Sequence, residues 1–218
     1  MPDRRTRYRE LTKRDAKRIA MEQLADHGVG GVSINAIGKR LGLTGPAMYR
    51  YFASRDELLA ELVTDGYNDL ADTMEAAVVG TRSPAAALRA LVAAMRSWAL
   101  AEPHRYLLLF GPIPGFRVPE SMVQEAHRAV TTVLSIVGAG HGRGGRRSTL
   151  QRQVTDWAEN TGIQNADPRR MVWVLTVLSR IHGMIAMEVA GQFQGTGIDP
   201  ALLYDAEVDT LVSALPKA

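Results

Sequence analysis

SINAIGKRLGLTGPAMYRYFASRD, residues 33–56, predicts two short helices joined by a sharp turn. Ser33 is suited to cap a helix over residues 34–41, in which isoleucine and leucine recur at helical spacing. Gly42 follows at the point where a sharp turn needs a residue that tolerates a positive φ angle. This order of elements is typical of a helix-turn-helix.

The second helix of this motif begins after Thr44, which is suited to cap it. Pro46 is tolerated in the first turn because the amide groups there have no intrahelical partner. Met48 and Phe52, four residues apart, form an apolar ridge that we expect to pack against neighbouring helices. The outer faces carry Ala47, Tyr49, Arg50 and Tyr51. A short helix with small residues at its start, two tyrosines and an arginine suits insertion into a DNA major groove.

The segment from about residue 11 to 63 resembles the DNA-binding domain of TetR-type transcriptional regulators. The matching blocks are residues 24–28 (LADHG), 37–42 (IGKRLG), 43–44 (LT), 49–52 (YRYF) and 54–59 (SRDELL). Two positions depart from the family pattern, which usually has alanine at Gly38 and often has histidine at Tyr51. The resemblance implies groove and base contacts by Thr44, Gly45, Pro46, Ala47, Tyr49 and Arg50, and phosphate contacts by Ser33, Tyr51 and Arg55. The alternative for these residues is a compact three-helix module with no DNA role.

Charge is distributed unevenly along the 218-residue chain, whose net charge is only +3. Residues 1–55 hold twelve Lys/Arg and five Asp/Glu, a balance of +7, whereas residues 56–65 contribute −4 and residues 66–218 hold fourteen of each. Such a localised positive charge is expected of a nucleic-acid-binding face, although ordinary surface charge is an alternative.

The first helix, predicted over residues 12–27 with Thr12 and Asp15 as a capping pair, follows a basic N-terminal arm. We expect this arm to lack fixed structure. Its basic residues are Arg4, Arg5, Arg7 and Arg9. Two roles remain open: contact with DNA phosphates or a minor groove, as in homeodomain arms, or a solubilising tail.

The remaining pattern predicts helices only, so the fold class is all-α. Ser54 and Glu57 form a capping box for a helix that reaches residue 79. Apolar residues at helical spacing predict further helices over residues 83–102, 104–110, 119–137, 149–160, 167–193 and 199–215. We therefore expect an N-terminal basic arm and three-helix helix-turn-helix domain over residues 1–57. A larger helical ligand-binding and dimerisation domain is expected over residues 58–218.

The helix over residues 167–193 is apolar nearly all round, and such a helix in a water-soluble protein must be covered on two sides. One side is expected to pack in its own core, and a second subunit best explains the other. Together with the helix over residues 199–215, it predicts a four-helix homodimer interface.

The C-terminal part more loosely resembles a ligand-binding domain type of TetR-like regulators that is named for a Trp-His-Gly signature. Residues 106–111 (YLLLFG) and 181–188 (IHGMIAME) carry this resemblance, although Trp173 lies nine residues before the histidine. A pocket for an effector needs apolar walls and a few polar groups. The candidates are Trp98, Tyr106, Phe110, Phe116, Met122, Trp157, His182 and Met184. Each of them also suits an ordinary core.

The resemblance therefore predicts a ligand-responsive DNA-binding regulator, a repressor that binds a palindromic operator as a homodimer. A small apolar or amphipathic effector is expected to release it. The alternatives are a helical dimeric interaction module or small-molecule-binding protein without a DNA role, and an enzyme. The sequence lacks GxSxG, HExxH and P-loop motifs, and its histidines show no metal spacing, so we predict no catalytic residue, cofactor or metal site.

The expected location is the cytoplasm, without membrane insertion. The chain contains no cysteine, which fits a reducing compartment. The N-terminal residues MPDRRTRYRE are charged and lack the apolar core of a signal peptide. The most apolar stretch, residues 171–190, is interrupted by Arg180, His182 and Glu188.

Overall fold

The computed structural model describes residues 3–111, 120–138, 147–163 and 166–216, with side chains from residue 127 onward in the second range. These residues form ten α-helices and no strand, which confirms the all-α prediction. The helices are α1 Arg4–His27, α2 Ile34–Arg40, α3 Gly45–Met48, α4 Arg55–Val78, α5 Pro84–Ala101, α6 Pro103–Phe110, α7 Glu120–Val137, α8 Thr149–Asn160, α9 Pro168–Val189 and α10 Pro200–Ser213.

The chain divides into two compact units. The first comprises Met1–Tyr67 and Glu102–Met122, and the second comprises Asn68–Ala101 and Val123–Ala218. The domain limits of 1–57 and 58–218 concern independent folding and stay a prediction.

Helix α1 begins at Arg4, well before the predicted start at Thr12. The four arginines of the expected arm therefore lie in its first two turns, and the prediction of an unstructured arm is wrong. Thr12 is not a cap but a buried residue within the helix, where its hydroxyl donates to the Tyr8 carbonyl at 3.0 Å. Arginine is a good helix former, and no glycine or proline interrupts residues 3–27, so the helix extends back to Arg4.

The first unit is built on the helix-turn-helix core. Helix α1 buries Ala16, Ile19, Ala20 and Leu24, and the facing elements bury Ile34, Ile37, Met48, Phe52, Leu58, Leu59 and Leu62. Helix α6 belongs to the same unit, because the Tyr67 hydroxyl donates to the Leu109 carbonyl at 3.3 Å and the Tyr67 and Phe110 rings meet edge to face. The core thus holds the helix-turn-helix against both α1 and α4.

The second unit packs α5, α9 and α10 together. The inner face of α5 buries Leu88, Leu91, Val92, Met95 and Trp98. Tyr204 on α10 donates its hydroxyl hydrogen to the Val92 carbonyl at 2.7 Å. Arg96 on α5 donates twice to the carboxylate of Glu188 on α9, at 2.8 and 2.6 Å. Glu188 is therefore the partner of an ion pair that joins α9 to α5.

Helix α9 is apolar along most of its length and is only partly buried by the described residues. By length and composition it is the one helix among the described residues that would suffice to cross a membrane, a test that core helices also pass. Its most apolar stretch has a mean hydropathy of 1.4, yet only 22% of that stretch is buried within the chain. The helix ends at Val189, four residues earlier than predicted, because Gly191 adopts a φ angle of 71° and turns the chain.

Candidate DNA-binding site

The first helix of the motif, α2, begins at a side-chain cap. Ser33 Oγ accepts a hydrogen bond from the Ala36 amide at 3.4 Å, which confirms the predicted cap. The Ser33 amide in turn donates to Gln23 Oε1 of α1 at 3.0 Å. These two bonds fix the start of α2 relative to α1.

The turn between α2 and α3 depends on Gly42, whose φ angle is 69°, as the sequence predicts. The chain closes onto α2 through the Leu43 amide, which donates to the Gly38 carbonyl at 2.9 Å. Thr44 then occupies the N-cap position of α3, but its hydroxyl makes no capping bond. The turn and the cap position are confirmed, whereas α3 begins without help from the Thr44 side chain.

Residues 44–51, the recognition segment, combine the short helix α3 with the turns that follow it. Helical-type hydrogen bonds continue past Met48, with the Arg50 amide donating to Ala47 and the Tyr51 amide to Met48. Tyr49 is half exposed and Arg50 is exposed, while Tyr51 is partly buried. The small residues Gly45 and Ala47 are partly buried, and Pro46 is exposed.

The opposite side of the recognition segment is anchored in the core. Met48 and Phe52 are completely buried, which confirms the predicted ridge. The Lys13 ammonium of α1 lies 5.0 Å from the centre of the Phe52 ring, a cation–π contact. Because the ridge is fixed from below, the Tyr49 and Arg50 side chains point away from the core.

Arg55, the first residue of α4, has a structural role that the sequence did not reveal. Its Nε donates to the Val32 carbonyl at 3.1 Å, and its Nη2 donates to the Val29 carbonyl. These bonds tie the start of α4 to the 3₁₀ turn Val29–Gly31. The phosphate contact expected of Arg55 stays a prediction and would use its remaining N–H groups.

The capping box before α4 is formed with one change. Ser54 Oγ accepts from the Glu57 amide at 3.1 Å, as predicted. The Glu57 carboxylate accepts a hydrogen bond from the amide of Ala53 rather than of Ser54. Helix α4 therefore begins, with its caps in place, shortly after the recognition segment, so the connection between the two elements is short.

Ion pairs hold α1 against α4. Lys13 and Lys17 contact Glu61 at 2.6 and 3.0 Å, and Lys17 also contacts Asp65 at 2.8 Å. Burial alone would raise the pKa of the Glu61 carboxyl, but the hydrogen bonds from Lys13 and Lys17 outweigh it and hold the pKa below its usual value. Burial likewise opposes the charged form of Lys17, yet its two carboxylate partners raise its pKa.

Several arginines of the first unit are not neutralised in this way. Within the described residues, the guanidinium groups of Arg4, Arg5, Arg7 and Arg50 make no ion pair. Arg50 lies within the recognition segment itself, so its guanidinium is a positive charge available to an anionic partner.

The candidate effector residues are divided between the two units. Tyr106 and Phe110 pack on each other in the first unit, with ring centres 5.0 Å apart. Trp98 is buried in the second unit, where its indole N–H donates to Asp69 at 2.9 Å. There Trp157 meets the His127 ring edge to face at 5.5 Å.

Four further candidates complete the set. His182 and Met184 are partly buried on α9, and burial lowers the pKa of the His182 imidazole. Phe116 and the Met122 side chain lie outside the described residues. The effector site therefore stays a prediction.

Two open cavities occur in the second unit. One, of about 260 Å³, is lined by Leu150, Val154, Val172, Leu175, Thr176, Ser179 and Arg180. The other, of about 330 Å³, is lined by Val78, Thr81, Arg82, Ser83, Pro84, Ala87, Ser135 and Ile136. Neither lining includes a candidate effector residue. The small and polar residues that line these two cavities carry no sequence signal that separates them from ordinary surface residues.

Comparison with known proteins places this geometry in a family. The family model described as bacterial regulatory proteins, tetR family, matches residues 18–62, and the model described as tetracyclin repressor-like, C-terminal domain, matches residues 88–211. The HTH-type transcriptional regulator Rv1816 of Mycobacterium tuberculosis is 33% identical over 96% of this chain and 94% of that protein.

Solved structures have the same fold. The regulatory protein SCO4313 superposes with a TM-score of 0.81 at 37% identity, covering 98% of this chain and all of that one. FadR from Bacillus subtilis, crystallised with stearoyl-CoA, superposes with a TM-score of 0.59 at 15% identity over 93% of this chain and 98% of that one, which shows a shared fold alone. The chain belongs to the TetR family and is a DNA-binding transcriptional regulator of the helix-turn-helix type, not an enzyme.

Proposed function

We propose that this regulator acts as a repressor, binds a palindromic operator as a homodimer, and leaves the DNA when a small apolar or amphipathic effector binds. The observation that carries the proposal is the recognition segment: its exposed Tyr49 and Arg50 stand on a buried Met48–Phe52 ridge, beside unpaired arginines. The site of action would be the cytoplasm, where the DNA is.

The recognition segment suits entry into a major groove. The small residues Gly45, Pro46 and Ala47, with Thr44, would let the backbone approach the base edges closely. Tyr49 and Arg50 would contact bases, since an arginine fork matches the acceptors O6 and N7 of guanine. Ser33, Tyr51 and Arg55 would hold phosphates on either side and fix the register.

The homodimer would form through α9 and α10. Many apolar side chains of α9 are only half-buried by the described residues, and Met187 is 42% exposed. Helix α10 adds Leu202 and Leu203, which are 70% and 44% exposed. A two-fold axis through these helices would give a self-complementary interface and present two recognition segments to a palindrome, about 34 Å apart.

Helix α4 is suited to carry a signal from an effector. It begins at Arg55, directly after the recognition segment, and its residues from Asn68 onward belong to the second unit. There Arg128 of α7 binds Asp72 and Glu75 of α4, at 2.6 and 2.8 Å. An effector would release DNA only if it binds one spacing of the two recognition segments better than the other. Stearoyl-CoA in the B. subtilis FadR structure illustrates an amphipathic ligand in this fold.

Selection from a random duplex library by the purified protein tests the DNA role. We expect an enriched palindrome with two half-sites, and a nuclease footprint of the same length on that duplex. A protein that enriches no sequence at low salt would instead be the alternative, a dimeric interaction or ligand-binding module.

A thermal-shift screen of apolar small molecules tests the coupling. The true effector is expected to raise the midpoint of unfolding and to release the selected duplex over the same concentration range. A compound that stabilises the protein but leaves its DNA affinity unchanged would contradict the proposed release mechanism.

A further inference from the structure

The first two turns of α1 carry charge that opposes helix stability. Arg4, Arg5, Arg7 and Arg9 are all exposed there, and the first turn contains no acidic residue beyond the N-cap Asp3. Cations near a helix N-terminus are unfavourable because they face the positive end of the helix dipole. Local charge that disagrees with the local structure indicates a role outside folding.

Two of these arginines share the side of α1 that faces the core. Arg5 and Arg9 are four residues apart and lie in line with the buried Thr12 and Ala16, so they continue the inward face of α1 beyond the core. Arg4 and Arg7 lie on the opposite side of the helix. The four arginines therefore form two pairs of equal charge on two different faces.

The inward pair lies beside the recognition segment. Arg9 Nη2 donates to the Arg50 carbonyl at 3.3 Å, and this contact is exposed to solvent. Arg5 lies one helical turn, about 6 Å along the axis, towards the N-terminus. Arg9 thus contacts the end of the segment that carries Tyr49 and Arg50, and Arg5 extends the same face of α1 by one turn.

We propose that Arg5 and Arg9 form a second DNA-binding element, which grips the phosphates flanking the groove that the recognition segment enters. This inference rests on the proposed operator binding and adds a contact to it. Arg9 uses one N–H group on the Arg50 carbonyl and keeps the others free, and an arginine fork matches two oxygens of one phosphate. The contact is independent of base sequence, so it adds affinity and register but no specificity.

The test compares Arg5→Ala/Arg9→Ala with the matched control Arg4→Ala/Arg7→Ala, which removes the same charge from the other face. Dissociation constants are measured against salt concentration for the duplex that the wild-type protein selects and for an unrelated duplex of the same length. Each lost phosphate contact reduces the slope of log K against log salt by about 0.9, so the inward pair should reduce it by about 1.8. Affinity for both duplexes should fall at least about tenfold near 0.1 M salt.

Three results would overturn this inference. Equal losses in both double variants would mean that only the overall positive field matters. Unchanged affinity in the inward variant would exclude the contact. A loss of affinity with an unchanged slope of log K against log salt would mean that the Arg9–Arg50 bond only supports the structure and that neither arginine contacts phosphate.

Failure of the inference is distinguishable from failure of the proposed function. If the wild-type protein selects no duplex, operator binding itself is wrong. If it selects one and Arg50→Ala abolishes the preference while the inward variant binds normally, only the second element is wrong. Circular dichroism of each variant controls for folding, and alanine favours the helix at least as well as arginine does.

Discussion

Gly38 on α2 lies directly against Met48 on α3, with no room for a side chain between them. A Cβ atom at position 38 would lie 2.6 Å from Met48 Cγ and 3.3 Å from the Leu43 carbonyl oxygen. Both residues are buried. The close approach explains why position 38 suits glycine: Met48, at the start of the buried ridge, occupies the space that a methyl group would need.

We expect Gly38→Ala to lower the free energy of unfolding by roughly 1–2 kcal/mol, because overpacking outweighs the better helix propensity of alanine. In a Met48→Ala background the clashing Cγ is absent, so the same change should be neutral or stabilising. Urea unfolding of the four proteins in this cycle measures the effect. Gly30→Ala is the control, since a Cβ there would meet nothing within 4 Å. A cost that persists in the Met48→Ala background would refute the packing explanation.

Local signals account for most of what the sequence predicted correctly. Asp167 and Asp199 accept hydrogen bonds from the Arg169 and Ala201 amides, as residues that begin helices do. Gly42 takes the positive φ angle that its turn requires. These features involve residues within a few positions of one another, so a single sequence is enough to find them.

Contacts between distant parts of the chain account for what the sequence missed. Arg55 binds the carbonyls of Val29 and Val32, more than twenty residues earlier, and no local pattern announces such a bond. The position of α6 in the first unit likewise depends on contacts between residues far apart in the sequence, such as Tyr67 and Leu109. The start of α1 differs from the prediction for another reason: a run of positive charge near a terminus suggests an unstructured arm, whereas arginine itself favours a helix.

Arg50→Ala should weaken binding to the selected operator by roughly 1–3 kcal/mol and relax the preference at one base pair of each half-site, if Arg50 contacts a guanine edge. Arg50 makes no ion pair in the described part of the chain, so its removal should leave stability unchanged. Gel-shift titration on the operator and on single-base variants measures both effects. Arg152→Ala, an exposed arginine of α8, is the control with the same charge change. Identical affinity and base preference in mutant and parent would show that Arg50 does not read the DNA.

Glu61→Gln should lower the free energy of unfolding by roughly 1 kcal/mol at neutral pH, because Lys13 and Lys17 lose their shared partner while remaining partly exposed. The folded-state pKa of Glu61 is depressed, so its contribution is complete above the unfolded value of about 4.3 and is lost as pH falls through the folded value. Parent and mutant should therefore converge once the pH falls below the folded-state pKa of Glu61.

Lys17 determines the upper pH limit of the stability that this ion-pair cluster contributes. Its pKa is raised in the folded state, so its contribution is complete below the unfolded value of about 10.4 and is lost as pH rises through the folded value. Denaturant unfolding across pH measures both limits, with Glu10→Gln on an exposed part of α1 as the control. A Glu61→Gln effect that persists unchanged at low pH would mean that packing, and not charge, holds α1 to α4 here.

Leu202→Glu should separate the proposed dimer without unfolding the chain. Leu202 is 70% exposed on α10, so in an isolated chain a glutamate there costs little. Across a two-fold interface the same change places two unpaired carboxylates against apolar surface, which is strongly unfavourable. Sedimentation velocity is expected to show a monomer at concentrations where the parent is a dimer. Operator affinity should fall with it, because each half-site is then bound separately.

The matched control is Val79→Glu, which changes an equally exposed apolar residue just after α4, away from α9 and α10. It should leave both the oligomeric state and the operator affinity unchanged. Circular dichroism should show parental helix content in both variants, since neither residue is buried in the chain. If Leu202→Glu remains a dimer while Val79→Glu dissociates, the subunits meet at a different surface and the apolar face of α9 has another occupant.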